Sequence, residues 1–384
     1  MNKIKIGVLG SGTMGSGIAQ VAAQFGHDVI LIDNNESALH KAQMNLKDLI
    51  ERMVQKGKWT SIFGTELFDK INFSSNIEDF SGCGLVIEAI IENLEIKHSV
   101  FKEIEKHLDP QCIIASNTSS LSIASLGSAL QYSERIIGIH FFNPAPLMPL
   151  VEIIPAVQTN NDTISKAIEI IKSWSKIPVL AKDTPGFIVN RIARPFYGEA
   201  LRIYEEGIAD FATIDWAMTT IGGFRMGPFT LMDYIGNDVN YTVTETVFSS
   251  FYYDPRYRPS FTQKRHAEAG YLGRKSGRGY YDYSVEIPKP IINQDLGESI
   301  FKRILVMLIN EAIDALFLNI ASKEDIEVAM TKGVNYPKGL LQWANEIGLK
   351  NVLAALENLF QEYGEDRYRP SPLLRKMVRE EKTL

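Results

Sequence analysis

Cysteine is scarce in this chain: two residues among 384, Cys83 and Cys112, both inside apolar, strand-like runs. Two buried free thiols are therefore expected in preference to a disulfide or a metal pair. Positive charge is also short. Against 46 Asp and Glu stand 40 Lys and Arg, and the net charge of −6 argues against general binding to a nucleic-acid backbone. No stretch approaches the ~20 apolar residues that a membrane span needs. The strand pattern begins at Ile4, leaving no room for a signal peptide, so a soluble, cytoplasmic protein is expected.

What is present is the ordinary material of folded domains, with 45% hydrophobic and 22% charged residues. A length of 384 residues exceeds what one hydrophobic core usually serves, so two or three domains are expected.

The N-terminus carries the clearest signal. Lys3 to Leu9 is a β-branched apolar run, and Gly10-Ser11-Gly12-Thr13-Met14-Gly15 follows at once as G-x-G-x-x-G. Gly10 permits a tight turn, Gly12 lets backbone approach a pyrophosphate, and Gly15 lets the next helix pack close to the strand. That helix is expected over residues 16–25, its N-terminal amides aimed at phosphates. A second strand, Val29 to Ile32, ends in Asp33. The distance along the chain from Gly15 to Asp33 is near the spacing of a carboxylate that holds ribose hydroxyls. Asn34 and Asn35 follow, with no arginine to receive a 2′-phosphate, so NAD is favoured over NADP.

Residues 37–70 read as Lys-, Glu- and Leu-rich helices, an excursion from the nucleotide fold. Lys56 and Lys58 in it suit either a phosphate-bearing ligand or a solvated face. Further strands are expected at 84–87, 112–115, 136–139 and 150–154, with helices between several of them. That alternation predicts a doubly wound, Rossmann-type α/β domain over 1–184. Beyond residue 188 helical periodicity dominates. A repeat is visible there. At a shift of 112, Arg191, Glu199, Ile214, Met218, Gly227 and Gly236 meet Arg303, Glu311, Ile326, Met330, Gly339 and Gly348. Arg256-Tyr257-Arg258-Pro259-Ser260 recurs as Arg367-Tyr368-Arg369-Pro370-Ser371, at a shift of 111. The expectation is an all-α domain in two tandem copies, 185–284 and 298–384.

His140 ends an apolar strand at the edge where α/β folds of this kind bind ligands. A histidine there can take a hydroxyl proton at working pH. Glu152, on the next apolar strand, is a carboxylate that needs a partner. Spacing alone leaves two readings open: a base with its orienting acid, or a core histidine beside a capping carboxylate.

Six motifs together resemble the L-3-hydroxyacyl-CoA dehydrogenase family. They are the stretches 88–93 (EAIIEN), 116–121 (SNTSSL), 140–144 (HFFNP), 183–191 (DTPGFIVNR), 226–229 (MGPF) and 273–281 (GRKSGRGYY). The resemblance implies that His140 is the catalytic base and Glu152 its orienting acid, with Ser119 and Asn190 around the substrate's 3-oxygen and thioester. It implies that Glu92, Lys97, Ser119 and Asn143 lie near the nicotinamide and its ribose, and that Lys275 reaches the cofactor from the helical domain. The implied activity is NAD-dependent interconversion of L-3-hydroxyacyl-CoA and 3-oxoacyl-CoA, chemistry shared by β-oxidation and by butanoate-type routes. No metal, nucleic acid or membrane is implied. A dehydrogenase of a free hydroxy acid and a catalytically silent NAD-binding relative are the alternatives. Since a single helical domain commonly dimerises in this family, the second copy is expected to replace or supplement a homodimer partner.

Overall fold

The N-terminal apolar run forms a strand, β1 (Lys5–Leu9), whose last four residues are buried. The computed structural model describes residues 3–384. These divide into two compact units that meet in sequence at Thr184/Pro185.

In the first unit, β1 is followed by α1 (Thr13–Gln24), β2 (Val29–Ile32), α2 (Glu36–Gln55), α3 (Ser61–Asp69) and β3 (Ile71–Ser74). Then come β4 (Cys83–Glu88), α4 (Leu94–Glu105), β5 (Ile113–Ser116), α5 (Ile123–Gly127) and β6 (Ile136–Phe141). β7 (Leu150–Pro155), α6 (Asn161–Ser173) and β8 (Ile177–Leu180) complete it. Among the described residues the strands form one sheet in the order β3-β2-β1-β4-β5-β6-β7-β8. The central strands are buried almost throughout, as continuous Val/Ile/Leu runs must be when helices cover both faces.

Three expectations need correction. The first helix begins at Thr13 rather than at residue 16, so the glycine turn is itself the helix start. Strands β3 and β8 were not expected. The strand–helix alternation is also interrupted between β6 and β7, which pair antiparallel, and resumes with β7–α6–β8. Only the short segment 142–149 joins them, and a parallel crossover needs a dozen or more residues. Cys83 and Cys112 are buried and free, as expected.

The second unit is helical. It opens with α7 (Val189–Ile192), α8 (Arg194–Glu205) and α9 (Phe211–Trp216), which runs into a π-helical turn at Ala217–Ile221. α10 (Pro228–Ile235), α11 (Asn237–Ser250) and α12 (Phe261–Glu268) follow. Residues 286–293 have no regular structure and lead to α13 (Gln294–Phe317). Then α14 (Lys323–Val328) runs into another π-helical turn, Ala329–Gly333, before α15 (Leu340–Ile347), α16 (Leu349–Tyr363) and α17 (Pro372–Arg379). Every residue of α13 from Arg303 to Ala315 is buried, as a helix apolar on nearly all sides must be. Both expected helical domains, 185–284 and 298–384, lie within this one unit.

Buried charges in this unit are paired crosswise. Arg191 Nε meets Glu311 at 2.6 Å, and Arg303 Nε meets Glu199 at 2.7 Å. The Tyr257 hydroxyl donates to Glu311 and the Tyr368 hydroxyl to Glu199, each at 2.5 Å. Asp215 accepts from the amides of Phe229 and Thr230, while Glu327 accepts from those of Leu341 and Gln342. The two members of each comparison are related by the same shift of 111 or 112 that marks the repeat.

Candidate active site

The glycine turn is shaped by contacts that a side chain would destroy. Gly10 has φ +99°, and a Cβ there would lie 2.6 Å from the Ala89 carbonyl oxygen. A Cβ on Gly15 would fall 1.8 Å from the Gly10 carbonyl oxygen, so close strand–helix packing demands glycine. Gly12 is different, because nothing in the chain lies within 4 Å of where its Cβ would be. Packing does not require glycine there, whereas a ligand pressed against the backbone would. Gly12 also caps α1, and the helix has neither a side-chain cap nor an acid in its first turn. The first-turn amides of Thr13, Met14 and Gly15 therefore remain a ready anion site. By contrast α2, α3, α4 and α6 are all capped by Asn or Thr side chains.

Asp33 follows the end of β2, one strand over from this turn. Its Oδ2 accepts from the Ser11 amide at 2.7 Å and from the Ser11 hydroxyl at 2.8 Å. The carboxylate is thus held beside the turn, where it can meet ribose hydroxyls. These residues fit a dinucleotide. An apolar cavity of about 450 Å³ adjoins α1, bordered by Thr13, Gly17, Leu46, Trp59, Pro144 and Leu147. The α2–α3 excursion forms one side of it.

His140 and Glu152 face each other across the antiparallel β6–β7 pair, in direct register. His140 Nδ1 lies 2.7 Å from Glu152 Oε2, with the carboxylate fully buried and the imidazole nearly so. A buried carboxylate needs such a partner, and it fixes the tautomer in which Nδ1 carries hydrogen. The ring packs against Phe142 with centroids 4.7 Å apart.

Around the carboxyl ends of β4 and β5 lies a second polar cluster. Lys97 on α4 is buried, its Nζ 2.6 Å from Glu88 and 3.1 Å from Glu92. Its ammonium is committed to two carboxylates, so it acts on the site by fixing Glu92. Glu92 accepts from the hydroxyls of Thr118 and Ser120 and from the Ser119 amide. Partial burial would raise its pKa, but Lys97 and the two hydroxyls outweigh burial and hold it below the ordinary carboxylate range. Ser119 is half-buried in this cluster. Asn143 follows β6, exposed, on a cis bond to Pro144.

Three residues of this region carry structural duties that motif reading alone missed. Glu88 is fully buried at the end of β4 and also accepts from Ser116 at 2.6 Å. Asn117 accepts from the Phe141 amide at 2.8 Å, tying β5 to the strand that carries His140. Asp183 caps α5 through the amides of Ile123 and Ala124. The available signal was an acid or amide at the end of an apolar strand.

In the helical unit, Asn190 sits on α7, its carbonyl accepting from Arg194 Nε at 3.1 Å. Lys275 is half-exposed and paired with Asp238 at 2.6 Å. Its loop is pinned by Asp233, which accepts from the amides of Tyr280 and Tyr281. Among the described residues no group of three His, Cys, Asp or Glu could hold a metal, and no helix is long and apolar enough to cross a membrane.

The family profile for the 3-hydroxyacyl-CoA dehydrogenase NAD binding domain matches residues 5–184. The profile for the C-terminal domain of 3-hydroxyacyl-CoA dehydrogenase matches residues 186–283 and again 300–383. The chain belongs to the 3-hydroxyacyl-CoA dehydrogenase family. It is 35% identical to the 3-hydroxyadipyl-CoA dehydrogenase of Escherichia coli (strain K12), over 98% of this chain and 97% of that one. It is 39% identical to the 3-hydroxybutyryl-CoA dehydrogenase of Clostridioides difficile, covering all of that protein with 73% of this chain. A crystal structure of 3-hydroxybutyryl-CoA dehydrogenase from E. coli K12 superposes with TM-score 0.94 at 34% identity, covering 99% of both chains. Members of this family use NAD, which the turn at Gly10–Gly15 and Asp33 fits.

Proposed function

We propose that this chain interconverts an L-3-hydroxyacyl-CoA and its 3-oxoacyl-CoA, with His140 as the base. The observation that carries this reading is the 2.7 Å bond from His140 Nδ1 to Glu152 across the β6–β7 register. With Nδ1 engaged, proton exchange with the substrate hydroxyl runs through Nε2. Glu152 stabilises the imidazolium that forms and keeps the ring oriented. NAD, when bound, accepts the hydride from C3 of the alcohol. Ser119 and Asn190 supply donors for the oxygen at C3 and for the thioester carbonyl. Such donors, aimed in advance, are each worth about 3–4 kcal/mol where measured. Glu92, held by Lys97, and Asn143 flank the nicotinamide ribose, while Lys275 serves the cofactor from the helical unit. Following NADH absorbance with acetoacetyl-CoA and with acetoacetate tests the reading. Oxidation with the thioester is expected, and turnover of the free acid alone would replace it with a free hydroxy-acid dehydrogenase.

We also propose that 185–284 and 298–384 are two copies of one helical domain, the second standing in for a dimer partner. Three observations support this. Both segments match one profile, both carry a π-helical turn at the same place, and their ion pairs cross reciprocally. Reciprocity of this kind marks an isologous interface, in which residue i meets j and j meets i. The second copy keeps packing residues and departs from the first at a site motif: Gly227-Pro228-Phe229 becomes Gly339-Leu340-Leu341. A chain ending near residue 290 is expected to dimerise or aggregate in analytical ultracentrifugation, and a stable, fully active monomer would contradict the proposal. Two neighbouring buried thiols that remain unbridged support a reducing compartment, which we take to be the cytoplasm.

A further inference from the structure

Four arginines of the helical unit are no more than 9% exposed: Arg191, Arg194, Arg303 and Arg367. Arg191 pairs with Glu311, Arg303 with Glu199, and Arg367 with Glu365. Arg194 meets no carboxylate among the described residues. Its Nε donates to the Asn190 carbonyl at 3.1 Å and its Nη1 to the Thr244 hydroxyl at 3.2 Å, while the guanidinium lies 4.9 Å over the Tyr197 ring. Among the described residues no acceptor meets Nη2. A guanidinium carries five N–H donors in a planar fork, so most of this one's capacity is unused.

The phenols near it can donate too. The Tyr336 hydroxyl is buried with no hydrogen-bond partner. Burial pulls the Arg194 pKa down from its ordinary value, and the phenols of Tyr197 and Tyr336 are the nearby groups that oppose this. Burying a cation without a counter-charge costs several kcal/mol, which packing alone would avoid with an aliphatic side chain. A guanidinium over the Tyr197 ring, with the Tyr336 phenol close by and, among the described residues, no carboxylate bonded to it, offers the donors that a carboxylate takes.

We propose that Arg194, with the hydroxyls of Tyr197 and Tyr336, receives a carboxylate at the far end of the acyl group. The preferred substrates are then CoA thioesters of 3-hydroxy dicarboxylic acids. This rests on the reading that Asn190 touches the substrate near C3. Arg194 follows Asn190 by one helical turn, about 6 Å of axis. That is the scale separating C3 of a six-carbon acyl group from a group bonded to its terminal carboxylate.

The test compares kcat/KM of the full-length enzyme for 3-oxoadipyl-CoA and 3-oxohexanoyl-CoA, which share a six-carbon chain and differ in the terminal carboxylate. The wild type is expected to favour the dicarboxylic thioester at least tenfold. In Arg194→Met the ratio should fall to near one, through KM, and Arg194→Lys should restore part of it. Tyr336→Phe removes a hydroxyl that has no partner in the free chain, and should lower the ratio threefold or more. A wild-type ratio near one overturns the proposal while leaving the dehydrogenase reading intact. So does a folded Arg194→Met enzyme that keeps the wild-type ratio. Should that variant fail to fold, an unchanged ratio in Tyr336→Phe overturns it equally. Turnover of neither thioester would instead overturn the dehydrogenase reading itself.

Discussion

Both units bury carboxylates, yet they use them differently. In the α/β unit, buried acids gather at the carboxyl ends of strands, where Glu152 holds His140 and Glu88 shares Lys97 with Glu92. There the acids orient groups that face a ligand edge. In the helical unit the buried acids are saturated by arginines, phenols and backbone amides: Glu199, Glu311, Asp215 and Asp233 join one stretch of chain to another. Burial of charge therefore identifies a functional site only where some capacity is left over. Asp233 has none to spare; Arg194 has.

The comparison can be broken at either end. The largest effect is expected for His140→Gln, which keeps the shape but removes the base. Its kcat should fall about 10²- to 10⁴-fold with NADH binding retained, as measured by steady-state rates and by fluorescence titration. Near-normal kcat would return His140 to the structural class. Glu311→Ala should leave activity per folded molecule alone and strike stability instead. It removes the closer of the two carboxylates paired with Arg191, leaving Asp314, and strips Arg256 and Tyr257 of a partner, and breaking a buried pair costs about 3–5 kcal/mol. Urea unfolding would show this as a lowered midpoint, and a loss under about 1 kcal/mol would mean that the crossed pairs are decorative. The smallest effect is in acid. Glu92 is held below its ordinary pKa, chiefly by Lys97 against the opposing effect of burial. A depressed carboxylate stabilises the fold above the unfolded value, about 4.3, and loses that contribution as pH falls through the folded value. Wild type should therefore lose unfolding midpoint between about pH 5 and pH 3 more steeply than Glu92→Gln.

Much of this was legible beforehand because it depends on local geometry. The Gly10–Gly15 turn, β1, β2 and Asp33 follow from backbone sterics within one strand–turn–helix–strand unit at the start of the chain. The long parallel strands are continuous apolar runs. Two edge strands escaped for physical reasons. β3 is half-exposed, and β8 carries Pro178 and exposes Ile177 and Leu180, so neither reads as an apolar run. The His140–Glu152 pair stayed ambiguous because its contact depends on β6 and β7 being antiparallel. The short 142–149 connection held that information. Arg194 could not be found at all from pattern, since what sets it apart is the missing counter-charge, a property of its surroundings alone.

The crossed pairs have one more consequence. In a symmetric homodimer every interface substitution is made twice, so a change tolerable on one side must be tolerable on both. Here position 314 is Asp, bonded to Arg191 and Arg256, while its counterpart in the first half of the repeat is Arg202, which donates to the Arg258 carbonyl. If the two segments are copies of one domain, as proposed, joining them in one chain let them differ at a position that a dimer would have kept alike. On the proposal that the second segment stands in for a dimer partner, the association would also be independent of protein concentration, because the partner is never released.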